Sequence, residues 1–246
     1  MKTKKSNKKK TVKTKKTVPK KNILTKRIST GITPLNKILN GGYLRGTSIL
    51  LMAPPRMGKS MFSTHFITAG KEDIGVYVTT NDVGENVKKR INNFDSKFKE
   101  VKVVDAYSSS TQKNTNGIIP VGKSNLSDIS VSLSEIWKAY PNKTLRCVID
   151  SVSNLIIHNS INEVANFLED VISKFRAREG VIILVIEKGM HENEIYVMLE
   201  ALTDSTIELE DKTDGRFIRL RGFDVESEKL LEYVPYRITS KGVELK

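Results

Sequence analysis

The sequence predicts an α/β domain on a mainly parallel sheet covered by helices on both faces, with a short antiparallel C-terminal extension. Three observations predict it. Five short apolar runs alternate with helix-period stretches between Ser48 and Ile186. Runs such as Val181–Ile186 (VIILVI) are apolar on both faces, as strands covered from both sides must be. After Ala201 the rhythm changes to brief strand-like runs separated by tight turns.

Each element follows in order. Gly41, Gly42 and Gly46 punctuate a loop before the first buried strand, Ser48–Met52. Residues 53–58 form a loop with Pro54 and Pro55, and a helix runs from about Lys59 to Ala69. Ile74–Thr79 is the second strand, Gly84–Phe94 a helix and Val101–Asp105 the third strand. Residues 107–126, rich in Ser, Thr, Asn and Gly, read as a mobile loop. Ser127 then caps a helix to Tyr140. Leu145–Ile149 is the fourth strand and ends at Asp150; Ile161–Arg178 is a long amphipathic helix; Val181–Ile186 is the fifth strand. The extension comprises Ser205–Glu210, Phe217–Leu220 and Tyr236–Ile238, with turns at Asp214-Gly215 and Lys241-Gly242. No internal repeat and no second domain is evident.

Charge divides the chain. Lys and Arg number 41 and Asp and Glu 28, for a net charge of +13. Residues 1–27 hold twelve lysines and Arg27 but no acid, so the remainder is neutral. Such a run cannot bury enough apolar surface to offset its ordering entropy, and it reads as a disordered tail ahead of one folded domain, 28–246. Two roles stand open for it: holding nucleic acid by counterion release, or a solvated tail that aids solubility. It interleaves no aromatic residues, so base stacking is not indicated. Neither a secretory signal nor a membrane span is present in the pattern. Cys147 is the only cysteine, which excludes an internal disulfide and fits a reducing cytosol. His65, His158 and His191 lack metal-ligand spacing.

The strongest chemical signal is Ala53-Pro54-Pro55-Arg56-Met57-Gly58-Lys59-Ser60, between a predicted strand and a predicted helix, with Met61 in the first turn. In that context, loop and helix N–H groups converge on phosphate oxygens. Lys59 would neutralise the β- and γ-phosphates, the Ser60 hydroxyl would ligate Mg²⁺, and Gly58 lets the backbone approach closely. Ala53 stands where the strict pattern has Gly. A second element supports the first: an aspartate, Asp150, at the carboxyl end of a buried strand can hold Mg²⁺ beside Ser60.

On these residues the chain resembles the KaiC-like and RAD55-like ATPases of the RecA superfamily. The lead-in from Ser29 through Asn36 and Gly41-Gly42 to Gly46 is similar to theirs, as are Val76–Thr79, Asp150–Leu155, Arg219–Gly222 and Tyr236–Val243. The resemblance covers about residues 28–244 and implies a RecA-like P-loop core. It further implies ATP with Mg²⁺ at the carboxyl ends of the strands, often at a boundary with an identical or related RecA-like subunit. Arg219 and Arg221 would then reach a neighbour's γ-phosphate as arginine fingers; the alternative is two strand residues paired with local acids.

One departure bears on chemistry. Where the family usually carries two glutamates after the second strand, one of which polarises the attacking water, this chain has Thr80-Asn81-Asp82. Asn81 can orient a water but cannot accept its proton, and Asp82 offers a shorter carboxylate one position along. Tight binding with slow hydrolysis is expected, unless Asp82 or another acid substitutes. Asn36 replaces the family's Asp, and Arg56 and Met57 replace small loop residues. Glu187-Lys188, at the end of the fifth strand, is either a γ-phosphate sensor or a plain strand terminus. Three functions remain open: a regulatory ATP binder, an active ATPase in DNA recombination or repair, and a structural subunit of a larger assembly with vestigial nucleotide binding.

Overall fold

A computed structural model describes residues 27–70, 72–96, 98, 101–108, 116–225 and 232–245. The tail, 1–26, and residues 109–115 of the predicted mobile loop lie outside the described residues. Arg27, assigned above to the tail, belongs to the folded part. It forms β1 with Ile28 and donates to the carbonyls of Gly42 (3.0 Å) and Asp224 (2.5 Å).

In chain order the elements are β1 (Arg27–Ile28), α1 (Thr33–Ile38), β2 (Tyr43–Leu44), β3 (Ser48–Ala53), α2 (Lys59–Thr68), β4 (Ile74–Thr79) and α3 (Gly84–Phe94). There follow β5 (Val101–Asp105), β6 (Ile118–Pro120), α4 (Leu126–Ala139), β7 (Leu145–Asp150), α5 (Val152–His158), α6 (Ile161–Ala177) and β8 (Val181–Glu187). The chain closes with α7 (Asn193–Leu202), β9 (Ser205–Lys212), β10 (Gly215–Arg221), β11 (Val234–Thr239) and β12 (Gly242–Leu245).

β1 and β2 pair with each other; the main sheet runs β12-β11-β10-β9-β3-β8-β7-β4-β5-β6. From β9 to β6 every pairing is parallel; from β9 to β12 every pairing is antiparallel. The period of two divides each central strand between two cores. In β3, Ile49, Leu51 and Ala53 face the core capped by α1, α2 and α3, whereas Leu50 and Met52 face the core under α4 to α7. This confirms an α/β fold with helices on both faces.

Several expectations need correction. The antiparallel extension starts one strand later than read: β9 is parallel to β3, with Leu51 opposite Ile207. The 107–126 segment holds a strand, β6, on the sheet edge, where Pro120 costs no ladder bond on a central strand. Asn125, not Ser127, caps α4, its side chain accepting from the Asp128 N–H at 3.0 Å. The helices α5 and α7 and the lead-in elements β1, α1 and β2 were not among the elements read from sequence.

Candidate functional site

The loop from Ala53 to Ser60 joins β3, buried along its whole length, to α2. Two residues make the turn in left-handed conformation, Arg56 at φ 65° and Gly58 at φ 87°. Gly58 is the N-cap of α2 and brings no side-chain acceptor, so no side chain caps the first-turn N–H groups, of which that of Met61 donates to the Gly58 carbonyl at 2.8 Å. A Cβ at Gly58 would collide with the side chain of Ile238 on β11. The neighbouring Met57 carbonyl accepts the Tyr236 hydroxyl at 2.8 Å. The C-terminal extension is therefore a brace under the loop, a role no local pattern announced. Burial holds the Tyr236 hydroxyl protonated well above its ordinary range. Met57 is buried and Met61 packs on the same core, so both act as loop anchors.

Lys59 is nearly buried, at 8% exposure. Its ammonium donates to the carbonyls of Ala53 (3.1 Å) and Pro54 (2.8 Å) and pairs with Glu187 Oε2 at 2.8 Å. The loop thus curls around its own lysine. Glu187 lies opposite Ala53 in the β3–β8 register, so Glu187 is brought to the loop by strand pairing alone. Its own backbone N–H donates to the Ser153 hydroxyl oxygen at 3.0 Å.

Asp150 gathers the rest. Its Oδ2 accepts from the Tyr77 hydroxyl at 2.6 Å and lies 3.3 Å from Ser60 Oγ. Its Oδ1 accepts from Asn81 Nδ2 at 3.0 Å. Burial, reinforced by the negative charge of Asp150, pushes the Tyr77 phenol well above its ordinary pKa, so it is a hydrogen-bond donor at neutral pH. The backbone beside this cluster is equally tied: Thr80 N–H donates to the Asp150 carbonyl at 2.9 Å, and Asn154 Nδ2 to the Thr80 carbonyl at 2.7 Å. The Ser60 hydroxyl and the Asp150 carboxylate form a hard oxygen pair of the chemistry Mg²⁺ takes, beside a helix start that no side chain caps, a setting suited to phosphate.

Asn81 and Asp82 separate in space. Asn81 joins the Asp150 cluster. The Asp82 carboxylate instead serves the start of α3: Oδ1 accepts from Val83 N–H (2.8 Å) and Asn86 Nδ2 (3.0 Å), and Oδ2 pairs with Arg90 at 3.4 Å. Asn36 is likewise a local anchor, accepting from Thr30 N–H at 2.7 Å and donating to Ser29 Oγ at 2.9 Å.

Arg219 and Arg221 share one face of β10. Arg221 pairs with Glu200, and with Glu208 at 3.6 Å; Arg219 lies over the Tyr233 ring and contacts its hydroxyl at 3.4 Å. Lys188 pairs with Glu208 as well. Desolvation lowers the Lys188 pKa, but Glu208 and Glu210 outweigh it and the net shift is upward. Lys188, Glu200, Glu208 and Arg221 line a cleft of about 500 Å³ beside α7. The Lys59–Asp150 cluster and this charged cleft are thus neighbours through Glu187-Lys188, one residue facing each.

Comparison with known proteins agrees with this geometry. The family model described as "ATPase: KaiC" matches residues 28–246. A UPF0273 protein of Methanopyrus kandleri is 30% identical over 235 residues, which span 88% of this chain and 90% of that protein. The circadian clock protein KaiC2 of Synechocystis sp. is 24% identical over 192 residues, 75% of this chain and 32% of that longer protein. The crystal structure of a KaiC-like protein from Pyrococcus horikoshii shares the fold, with a TM-score of 0.67 at 19% identity, covering 89% of this chain and 98% of that one.

Proposed function

This chain belongs to the KaiC family of ATPases, RecA-like nucleotide-binding proteins, and from that premise we propose that it is a regulatory binder of ATP with Mg²⁺ that hydrolyses the nucleotide slowly. Residues 53–61 would wrap the phosphates, with Lys59 leaving Glu187 for the β- and γ-phosphate charge. Ser60 and Asp150 would hold Mg²⁺, which neutralises developing phosphate charge when bound. The observation that carries the slow-hydrolysis reading is the 3.0 Å bond from Asn81 Nδ2 to Asp150. That bond places at the carboxylate an amide, whose oxygen can hydrogen-bond a water but has no basicity to take its proton. The Asp82 carboxylate, committed to α3 and Arg90, does not replace it.

Calorimetry with ATP and MgCl₂, followed by a single-turnover assay, tests this. The unaltered chain is expected to take up nucleotide and K59A to lose it. Turnover should stay well below about one per second, a typical enzyme range. N81E should raise it roughly tenfold or more, since a positioned base contributes ~10²–10⁴ in rate. No uptake, or turnover faster than that limit, overturns the proposal.

The Lys-rich run favours a second reading, an ATPase that acts on DNA. Full-length chain and a chain starting at Arg27, the first residue of β1, can be compared for DNA binding over a salt series. Equal affinity and equal salt slope remove the tail from consideration. The arginine-finger role of Arg219 and Arg221, in a homo-oligomer or beside a related subunit, requires Arg221 to exchange Glu200 and Glu208 for a neighbour's phosphate. R219A and R221A should then alter assembly state or ATP affinity.

A further inference from the structure

The geometry points to Tyr77 as a positioning residue for Asp150, with Arg90 fixing the direction of its hydroxyl proton. The inference rests on the reading of Asp150 as the carboxylate that serves Mg²⁺, and it assigns that site a supporting shell of its own.

Register makes the contact. Thr79 of β4 stands opposite Asp150 of β7, and Tyr77 stands opposite Val148. The period of two puts Tyr77 and Asp150 on the same face of the sheet, diagonal to one another, within reach of a long aromatic side chain. Tyr77 is fully buried and its hydroxyl reaches Asp150 Oδ2 at 2.6 Å.

Hydrogen-bond inventory then sets the proton. Arg90 Nη2 lies 3.2 Å from the Tyr77 hydroxyl, and its guanidinium carbon sits 5.7 Å from the centre of the Tyr77 ring. A guanidinium has donors only, so the phenol oxygen accepts from Arg90 and its single proton goes to Asp150. Arg90 is in turn held by Asp82 at 3.4 Å. A chain of contacts therefore runs from the start of α3 through Arg90 and Tyr77 to the carboxylate. Asn81 holds the other oxygen. Ser60 is the one contact that must turn from Asp150 to serve a cation; Tyr77 need not move. It keeps the carboxylate from rotating while that exchange occurs, as partners behind a metal ligand do.

The test follows ATPγS binding by calorimetry in a MgCl₂ titration and again in EDTA, for the unaltered chain, Y77F, R90M and the double variant. Apo melting temperatures accompany each. Y77F is expected to move the Mg²⁺ midpoint upward about tenfold, the low end for loss of a partner behind a metal ligand, and to leave EDTA affinity within about twofold. R90M shifts the midpoint in the same direction, and the double variant goes no further than Y77F. A Y77F midpoint within about twofold of the unaltered chain, or equal losses with Mg²⁺ and in EDTA, overturns the inference. Should Y77F fail to fold, an unchanged midpoint in R90M overturns it. Absence of Mg²⁺-dependent binding by the unaltered chain overturns the parent reading instead, and the two failures are thereby distinguished.

Discussion

The Tyr236 hydroxyl donates to the Met57 carbonyl at 2.8 Å, joining β11 to the loop before α2 across 179 residues of chain. Ile238, two residues on and on the same face, lies against Gly58. The antiparallel extension therefore shapes the loop rather than merely lengthening the sheet. Y236F should lose about 1–3 kcal/mol of stability, because the buried Met57 carbonyl is left without a partner. It should weaken ATP binding in parallel. Urea unfolding and calorimetry of the same variant measure both; a stability loss with unchanged affinity would separate brace from loop.

Gly58 combines a left-handed φ of 87° with the close approach of Ile238. G58A is expected to cost at least about 1 kcal/mol from backbone strain, with additional cost from displacing Ile238. The variant G58A/I238A relieves the collision but not the strain. It should recover part of the stability of G58A in a urea melt, less what the truncated isoleucine itself contributes.

His65 clips α2 between the two ends of the fold. Its Nε2 accepts from Val243 N–H at 2.8 Å, so the ring proton sits on Nδ1, which donates to the Gly31 carbonyl at 3.1 Å. Phe94 packs against the ring edge-on. Burial lowers its pKa below the ordinary 6.5, with the Gly31 carbonyl opposing. The unfolded chain then binds more protons than the folded one below that value, so stability rises with pH. The contribution is complete above the unfolded pKa and is lost as pH falls toward the depressed folded one. Urea midpoints taken between about pH 7.5 and 5.5 should fall for the unaltered chain and fall less for H65Q.

Arg146 is the most buried cation among the described residues, 2% exposed, paired with Asp73 at 2.7 Å and donating to the carbonyls of Ser29 (2.7 Å) and Phe66 (3.1 Å). D73A should cost about 3–5 kcal/mol, because the cation stays buried without its partner. D73A/R146M should recover part of that loss. Equal costs for the single and double variants in chemical denaturation would contradict this account.

Much of the site was legible because its signals are local. Ala53 to Ser60 sits between a strand and a helix, and both elements declare themselves over ten residues or fewer. Asp150 could be read from the apolar run that ends on it. Tyr77 was legible in principle, since it and Asp150 share a sheet face by parity, but parity alone does not say which strands are neighbours. The sequence left open whether the Asp82 carboxylate substitutes for the base that Asn81 lacks. Asn81 turns to Asp150 and Asp82 to α3, a choice made where the chain leaves β4. The start of α4 was misplaced because Asn125 and Ser127 are both good caps, and only the Asp128 N–H decided between them.

The amino-acid sequence alone determined the alternation of strand and helix, the Gly-Lys-Ser loop between strand and helix and the strand-end carboxylate, because hydrophobic period and turn chemistry act over a few residues. Tertiary structure decided that Tyr236 ties the C-terminal strands to the loop before α2 and His65 ties them to α2 itself, that Glu187 faces Lys59, and that Tyr77 and Asn81 grip Asp150. Those contacts join residues brought together by sheet order, and strand pairing across a parallel sheet leaves no trace in the spacing of the chain.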